Sequence, residues 1–373
     1  MPMSTLSFIK KPTLLLDEHK AKNNLDKLMQ KLKKQEIIFR PHFKTHQSAE
    51  IGEWFRERGI DQITVSSVEM AEYFAQFGWE DILIAFPVNI LEIESISRLS
   101  RIIKLALLVE SLESAQILEK SLNNSVGIWV KIDVGAGRTG IPWNATDEIE
   151  ILVRYINSTK NLNLLGLLAH SGNTYHAQGI QEITKIYFEA LDRLKSIKGC
   201  LESMQLGDIK ISVGDTPSAS ILEDMGDIDE FRPGNFLFYD AQQFQAGMCK
   251  IENIAISVAC PIVSIHKYRQ EAVIYGGAIH FSKDSVRLDH ETLAYGIVVP
   301  IVDYGWDVNH ILGYLKSVSQ EHGVIRFYDH EIDNLHVGDI ICILPAHSCL
   351  TVQAMRNYVN LDGKLISTMN SKG

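Results

Sequence analysis

The chain has 373 residues, 46% of them apolar and 22% charged, with a formal net charge of −10. That length exceeds what one hydrophobic core usually holds unless the fold is a large α/β barrel, so a big domain and a smaller one are expected. The acidic balance and the lack of a basic face argue against nucleic acid as the main partner, and no run of roughly eighteen apolar residues offers a membrane span.

Met1–Lys10 lacks the long apolar core of a secretory signal. The five cysteines, Cys200, Cys249, Cys260, Cys342 and Cys349, are scattered and odd in number. They argue against a disulfide framework and for a reducing, cytoplasmic setting.

In chain order, the apolar runs predict strands at Ile37–Arg40, Gln62–Val65, Ile82–Ala85, Leu105–Val109, Ile128–Asp133, Leu164–Ala169, Ile209–Val213 and Phe231–Phe238. Helical stretches separate most of them. Asn23–Lys34 sets Leu25, Leu28, Met29 and Leu32 on one stripe; Ala49–Arg58, Val68–Phe77 and the long Gln178–Lys198 read similarly. Apolar runs rich in β-branched residues and bounded by helices suit strands buried on both faces of a parallel sheet. Eight such strands are the number for a closed (β/α)8 TIM-like barrel; an open doubly wound sheet is the alternative.

After Gln242 the rhythm changes. Ile251–His266, Glu271–Gly276, Ile297–Val302, Gly323–Tyr328 and Ile340–Leu344 read as strands without intervening helices, separated by turn signals such as Gly276-Gly277 and Gly338-Asp339. The expected organisation is a barrel over residues 12–245 and a mostly-β domain over 246–373, which residues 1–11 can join.

Polar groups fall where barrel strands end, the usual place for an active site. "FRPHFKTHQS" puts Arg40, His42, Lys44 and His46 at alternate positions after the first strand. Lys44 is either an amine made reactive by burial and cationic neighbours, or part of a solvated basic strand end or a phosphate-binding patch. Ser66 follows the second strand. "GAGRTG" formally matches a dinucleotide fingerprint, but Pro142 and "WNATDE" follow it, so no helix opens inside the motif and dinucleotide binding is not expected. Arg138 in that loop and Arg232 in "EFRPGN" are structural ion-pair partners or holders of a carboxylate or phenolate.

His170 and Tyr175 in "HSGNTY" are core residues or ring-packing groups. In "SVGDTPSAS", Gly214 permits close backbone approach, Thr216 and Ser218 offer hydroxyls, and a helix start can receive phosphate; the alternative is an ordinary capped turn. His347 and Cys349 in "PAHSCLT" point the same way if the segment is extended, and imidazole with thiolate favours zinc.

Taken in order, "RPHFKTHQS", "DVGAGRTG", "HSGNTY", "SVGDTPS", "EFRPGNFLFYD", "SQEHG" and "PAHSCLT" resemble the D-threonine aldolase and D-serine dehydratase family, within the alanine-racemase-like pyridoxal-phosphate enzymes. The resemblance runs from about Pro12 to the C-terminus. It implies a cofactor-carrying barrel, a C-terminal β domain and a homodimer. It makes Lys44 the lysine that carries pyridoxal 5'-phosphate, and puts the phosphate at Gly214, Thr216 and Ser218 with Gly234 and Asn235 nearby. His170 packs on the ring, Arg138 and Tyr175 lie around ring or substrate, and Arg232 faces the pyridine nitrogen. His347 and Cys349 become the ligands of Zn2+ or another divalent metal such as Mn2+. Aldolase members tend to read H-x-D there and zinc dehydratases H-x-C, so the cysteine favours dehydration.

The expected activity is thus a lyase on D-3-hydroxy amino acids, of D-serine dehydratase type. The alternatives are D-threonine aldolase, 3-hydroxyaspartate dehydratase, an amino-acid racemase or, in a different class, a non-catalytic cofactor carrier.

Overall fold

A computed structural model describes residues 9–177 and 179–371. Gln178, the first residue of the long predicted helix, lies outside them, as do residues 1–8 and 372–373. The chain divides into two compact units: residues 28–44 with 52–234, and residues 1–27, 45–51 and 235–373.

The first unit is a parallel barrel. Its strands in chain order are Ile38–Phe39, Gln62–Val65, Asp81–Pro87, Lys104–Val109, Val126–Asp133, Leu162–Leu168, Lys210–Val213 and Glu230–Phe231. The sheet runs from the first strand to the eighth, then back through the seventh, sixth, fifth, fourth and third to the second. The circle is nearly complete, because His42 bridges Thr64 in parallel, with Phe43 N donating to Thr64 O and Thr64 N to Pro41 O. Strands such as Leu105–Val109 are buried at every position, as a parallel sheet covered on both faces requires.

Helices return the chain between strands. Ser67 and Ser111 cap Val68–Gln76 and Leu112–Ser121 by accepting from Met70 N and Ser114 N, respectively. The "GAGRTG" segment forms no helix. Asp133 Oδ1 accepts the N–H groups of Gly135, Ala136 and Gly137, and the next helix is Thr146–Ser158. The eighth strand is shorter than its apolar run suggests. Pro233 has no N–H to give the ladder, and a 3₁₀ turn, Asn235–Leu237, follows in the other unit.

The other unit is built on a mostly antiparallel sheet. Its path includes Glu271–Tyr275, His322–Phe327, Gly313–Val318, Gly296–Val302, Ile340–Pro345, Ile256–His266, Thr13–Leu16, Asn357–Asn360 and Leu365–Ser367. Thr13–Leu16 lies antiparallel to Ile256–His266 and parallel to Asn357–Asn360. Leu15, Ile297, Val299, Cys342 and Leu344 share one core. Contrary to the strand-only expectation, short helices Ala278–Phe281 and Ser348–Met355 interrupt this region.

Candidate active site

The cationic "RPHFKTH" stretch does not act as one group. Arg40 is buried and ion-paired with Glu230 and Asp81, at 2.6 Å each. Burial holds His46 neutral, its pKa down at about 3, and its Nδ1 accepts a hydrogen bond from Ser48 N. Neither is the charged neighbour that the alternation suggested for Lys44. The chain keeps pairing as far as the His42 bridge and then turns over residues 43–46, so the alternation ends there and Lys44 and His46 no longer share its face.

Lys44 acts together with cations from other strands on His170. Burial brings the pKa of His170 down to about 3, and Lys44, Arg138 and Arg232 all push it the same way. Those three sequence-predicted residues therefore share one electrostatic environment with His170. A fourth cation was missed by sequence reasoning. Lys131 is buried on the fifth strand, with Nζ donating to Ile132 O; burial, Arg232 and Arg138 lower its pKa to about 8. Its only signal was a charge inside an otherwise apolar strand. A rim carrying this much positive charge on an acidic chain suits an anionic ligand.

Arg232 is held rigidly. Its Nε donates to Ser212 Oγ and its Nη2 to Ala169 O, while Ser212 Oγ donates to Glu230, the partner of Arg40. Burial lowers its pKa to about 10, which leaves it charged at neutral pH.

His170 Nδ1 lies 2.6 Å from Gly214 O, so Nδ1 carries the proton and donates, leaving Nε2 as an acceptor. Gly214 has no room for a side chain: a Cβ would stand 2.7 Å from Arg232 backbone atoms. Helix Thr216–Ile221 opens at once, with Asp215 as cap, accepting from Ser218 N and from Thr174 Oγ1. Thr216 N donates to Tyr175 Oη at 3.1 Å. Thr216 Oγ1 and Ser218 Oγ are fully buried and have no hydrogen-bond partner among the described residues. Two orphaned hydroxyls at a helix start, beside a glycine and a set of cations, fit a phosphate group. Ser66 is half-buried just past the second strand, Arg138 is exposed in its loop, and Gly234 is half-buried after Pro233.

The His347–Cys349 pair lies in the other unit. The segment is not extended: His347 caps helix Ser348–Met355, so Cys349 sits in the first helical turn. Asp240, fully buried and given no role by sequence reasoning, organises the surroundings. It accepts from Ser348 N and from Asn235 Nδ2, and Ser348 Oγ donates to Asn235 Oδ1. Both ends of the Asn235 amide are thus engaged here. Asp240 Oδ2 lies 3.3 Å from His347 Nδ1, near enough for ion pairing but outside hydrogen-bond geometry.

Burial lowers the pKa of His347, but Asp240 and Cys349 outweigh it and push it up to about 11. Surroundings that draw a proton to this imidazole draw a metal cation as well. With Asp240 behind Nδ1, Nε2 is the nitrogen that would face a metal ion. Among the described residues no group of three His, Cys, Asp or Glu side chains is placed to hold a metal ion, so a metal on this pair keeps open positions.

The buried histidine beside Lys44 also sets a pH dependence. The unfolded chain protonates His46 below about pH 6.5, whereas the folded chain resists until about pH 3. This residue's stabilising contribution is therefore present above 6.5 and lost as pH falls, at about 1.4 kcal/mol per pH unit. Asp215 works oppositely. Burial raises its pKa to about 6, so its contribution grows as pH falls from 6 towards 4. In urea unfolding between pH 6.5 and 5, His46→Gln is expected to remove about 1.4 kcal/mol per pH unit from the slope. An unchanged slope would show that His46 is protonated in the folded state.

A family model described as alanine racemase, N-terminal domain, matches residues 16–242, more than half the chain; one described as putative serine dehydratase domain matches residues 255–361. D-serine dehydratase of Dictyostelium discoideum is 27% identical over 96% of this chain and 95% of its own. The solved structure of D-threo-3-hydroxyaspartate dehydratase from Delftia sp. HT23 superposes with a TM-score of 0.90 at 24% identity, covering 100% of each chain. A cysteine-to-alanine mutant of a D-threo-3-hydroxyaspartate dehydratase, described as the metal-free form, gives 0.89 at 23% identity over 98% of each chain. The chain therefore belongs to the alanine racemase N-terminal domain family, in the group whose second domain is of the serine dehydratase type.

Proposed function

We propose that the protein is a pyridoxal-phosphate- and divalent-metal-dependent lyase that removes water from a D-3-hydroxy amino acid, D-serine first, to give a 2-oxo acid and ammonia. The observation that carries the cofactor reading is the pair of buried, unpartnered hydroxyls, Thr216 Oγ1 and Ser218 Oγ, on the unit that also carries Lys44. When bound, the cofactor supplies an electron sink at the α-carbon and the metal, zinc before manganese, a Lewis acid for the departing hydroxyl.

The chain's own residues do the rest. Thr216, Ser218 and the Gly214 backbone hold the phosphate, with Gly234 and Asn235 close in sequence. His170 packs on the ring as a neutral imidazole, since its Nδ1 proton is committed to Gly214 O. Arg232, fixed by Ser212 and Ala169, presents a permanent positive charge to the pyridine nitrogen. Arg138, Tyr175 and Ser66 orient ring and substrate. Lys44 would carry the cofactor, and its Nζ would take the α-proton of the bound substrate. Loss of that proton and of the β-hydroxyl yields an enamine, which water converts to the oxo acid and ammonia.

His347 and Cys349 hold the metal, and the cysteine favours elimination over retro-aldol cleavage. Relatives named D-serine dehydratase and D-threo-3-hydroxyaspartate dehydratase support elimination, while relatives named 3-hydroxy-D-aspartate aldolase, matched over similar lengths, keep retro-aldol cleavage as the alternative. Five cysteines without a disulfide are consistent with a cytosolic setting, and among the described residues no helix is long and apolar enough to cross a membrane. The assembly implied by the resemblance is a homodimer.

The test is direct. D-serine, D-threonine and D-threo-3-hydroxyaspartate are incubated separately with the enzyme, and pyruvate, 2-oxobutanoate, oxaloacetate, glycine and acetaldehyde are assayed. Oxo acid with equimolar ammonia is expected, with pyruvate formed fastest. Glycine and acetaldehyde from D-threonine without oxo acid would replace the dehydratase by an aldolase.

A further inference from the structure

Thr45 follows Lys44 in the chain but belongs to the unit that carries the metal pair. It is fully buried, and its Oγ1 lies 3.3 Å from Cys349 Sγ. A buried hydroxyl must find a partner, and a thiolate, the form in which cysteine binds metal, can only accept. The hydroxyl is therefore the donor whenever the sulfur is a ligand.

The position is well fixed. Tyr358 Oη donates to His46 O at 2.8 Å, Met369 N to Gln47 O at 2.7 Å, and Asn370 Nδ2 to Gln47 Oε1 at 2.9 Å. Three bonds from the C-terminal strands and tail thus hold the two residues after Thr45, so its hydroxyl has little freedom to turn away. His347 already has Asp240 behind it, and Thr45 completes the arrangement by giving the second ligand an outer partner too.

We propose that Thr45 is a positioning residue for the metal. Its hydroxyl donates to the Cys349 thiolate, aims one of the sulfur's remaining lone pairs at the ion and limits the charge that the sulfur passes to it. The residue next to Lys44 thereby sets the Lewis acidity of the metal. This rests on the metal reading above.

Two measurements on the intact, cofactor-loaded enzyme test it: zinc affinity by chelator competition, and the 113Cd resonance after replacing zinc with cadmium. In Thr45→Val, which keeps the shape and removes the donor, zinc affinity is expected to fall about tenfold, the lower end for outer partners of metal ligands. The cadmium resonance is expected to move, because its frequency follows the charge donated by sulfur. Thr45→Ser, which keeps the donor, should restore both. Wild-type affinity and an unmoved resonance in a folded Thr45→Val would overturn the proposal while leaving the metal site standing. A wild-type resonance identical to that of Cys349→Ala would show that sulfur is not a ligand and would remove the metal reading itself.

Discussion

Lys44→Ala is expected to lose the visible absorption of covalently held pyridoxal phosphate and at least about a thousandfold in turnover. In the proposed reaction one amine both anchors the cofactor and moves the α-proton, and proton transfer alone commonly contributes 10²–10⁴-fold. Lys131 provides the control. It is the other lysine of the charged rim, but it is buried within a strand and its Nζ is bound to Ile132 O. Lys131→Met should keep the covalent band. Absorbance of the purified variants, with oxo-acid formation from D-serine, makes the comparison. A band that survives in Lys44→Ala and vanishes in Lys131→Met would transfer the role to the barrel interior.

The barrel was legible because its strands are fed by local signals. Apolar runs such as "LALLV" can be buried on both faces only in a parallel sheet, and capped amphipathic helices lie between them. What stayed hidden was non-local. Thr13–Leu16 is four residues long and becomes a strand through partners at 256–259 and 359–360, beyond the reach of periodicity. Asn357–Asn360 is too polar to read as a strand.

The site divides the same way. Lys44, His170, Arg138 and Arg232 were marked by their places after strand-like runs, and their influence on His170 is one shared field. Arg40 was misread because its neutralising partners, Asp81 and Glu230, come from other strands. Asp240 closes the quoted "EFRPGNFLFYD" stretch but was given no role there, and Lys131 carried no motif. The unpartnered state of Thr216 Oγ1 and Ser218 Oγ is a property of packing that no residue type announces.

Cys349→Ala should separate the two halves of the proposed chemistry. The thiolate is one of only two protein ligands offered by the pair, so its loss is expected to strip the metal. His347 would keep Asp240 behind it but gain no second donor, since among the described residues no third His, Cys, Asp or Glu is placed to hold the ion. Lewis-acid help to a leaving hydroxyl is worth several kcal/mol, and each 1.4 kcal/mol is a factor of ten, so elimination should slow by about a thousandfold. The covalent cofactor band should remain, because Lys44, Thr216 and Ser218 all belong to the barrel unit and are untouched by the change. Metal content by plasma emission, set beside the absorption spectrum and the rate of pyruvate formation, tests all three parts. Bound zinc equal to that of the wild type would mean that the ion is held by other residues, and a full elimination rate without zinc would mean that the barrel's own cations suffice to expel the hydroxyl.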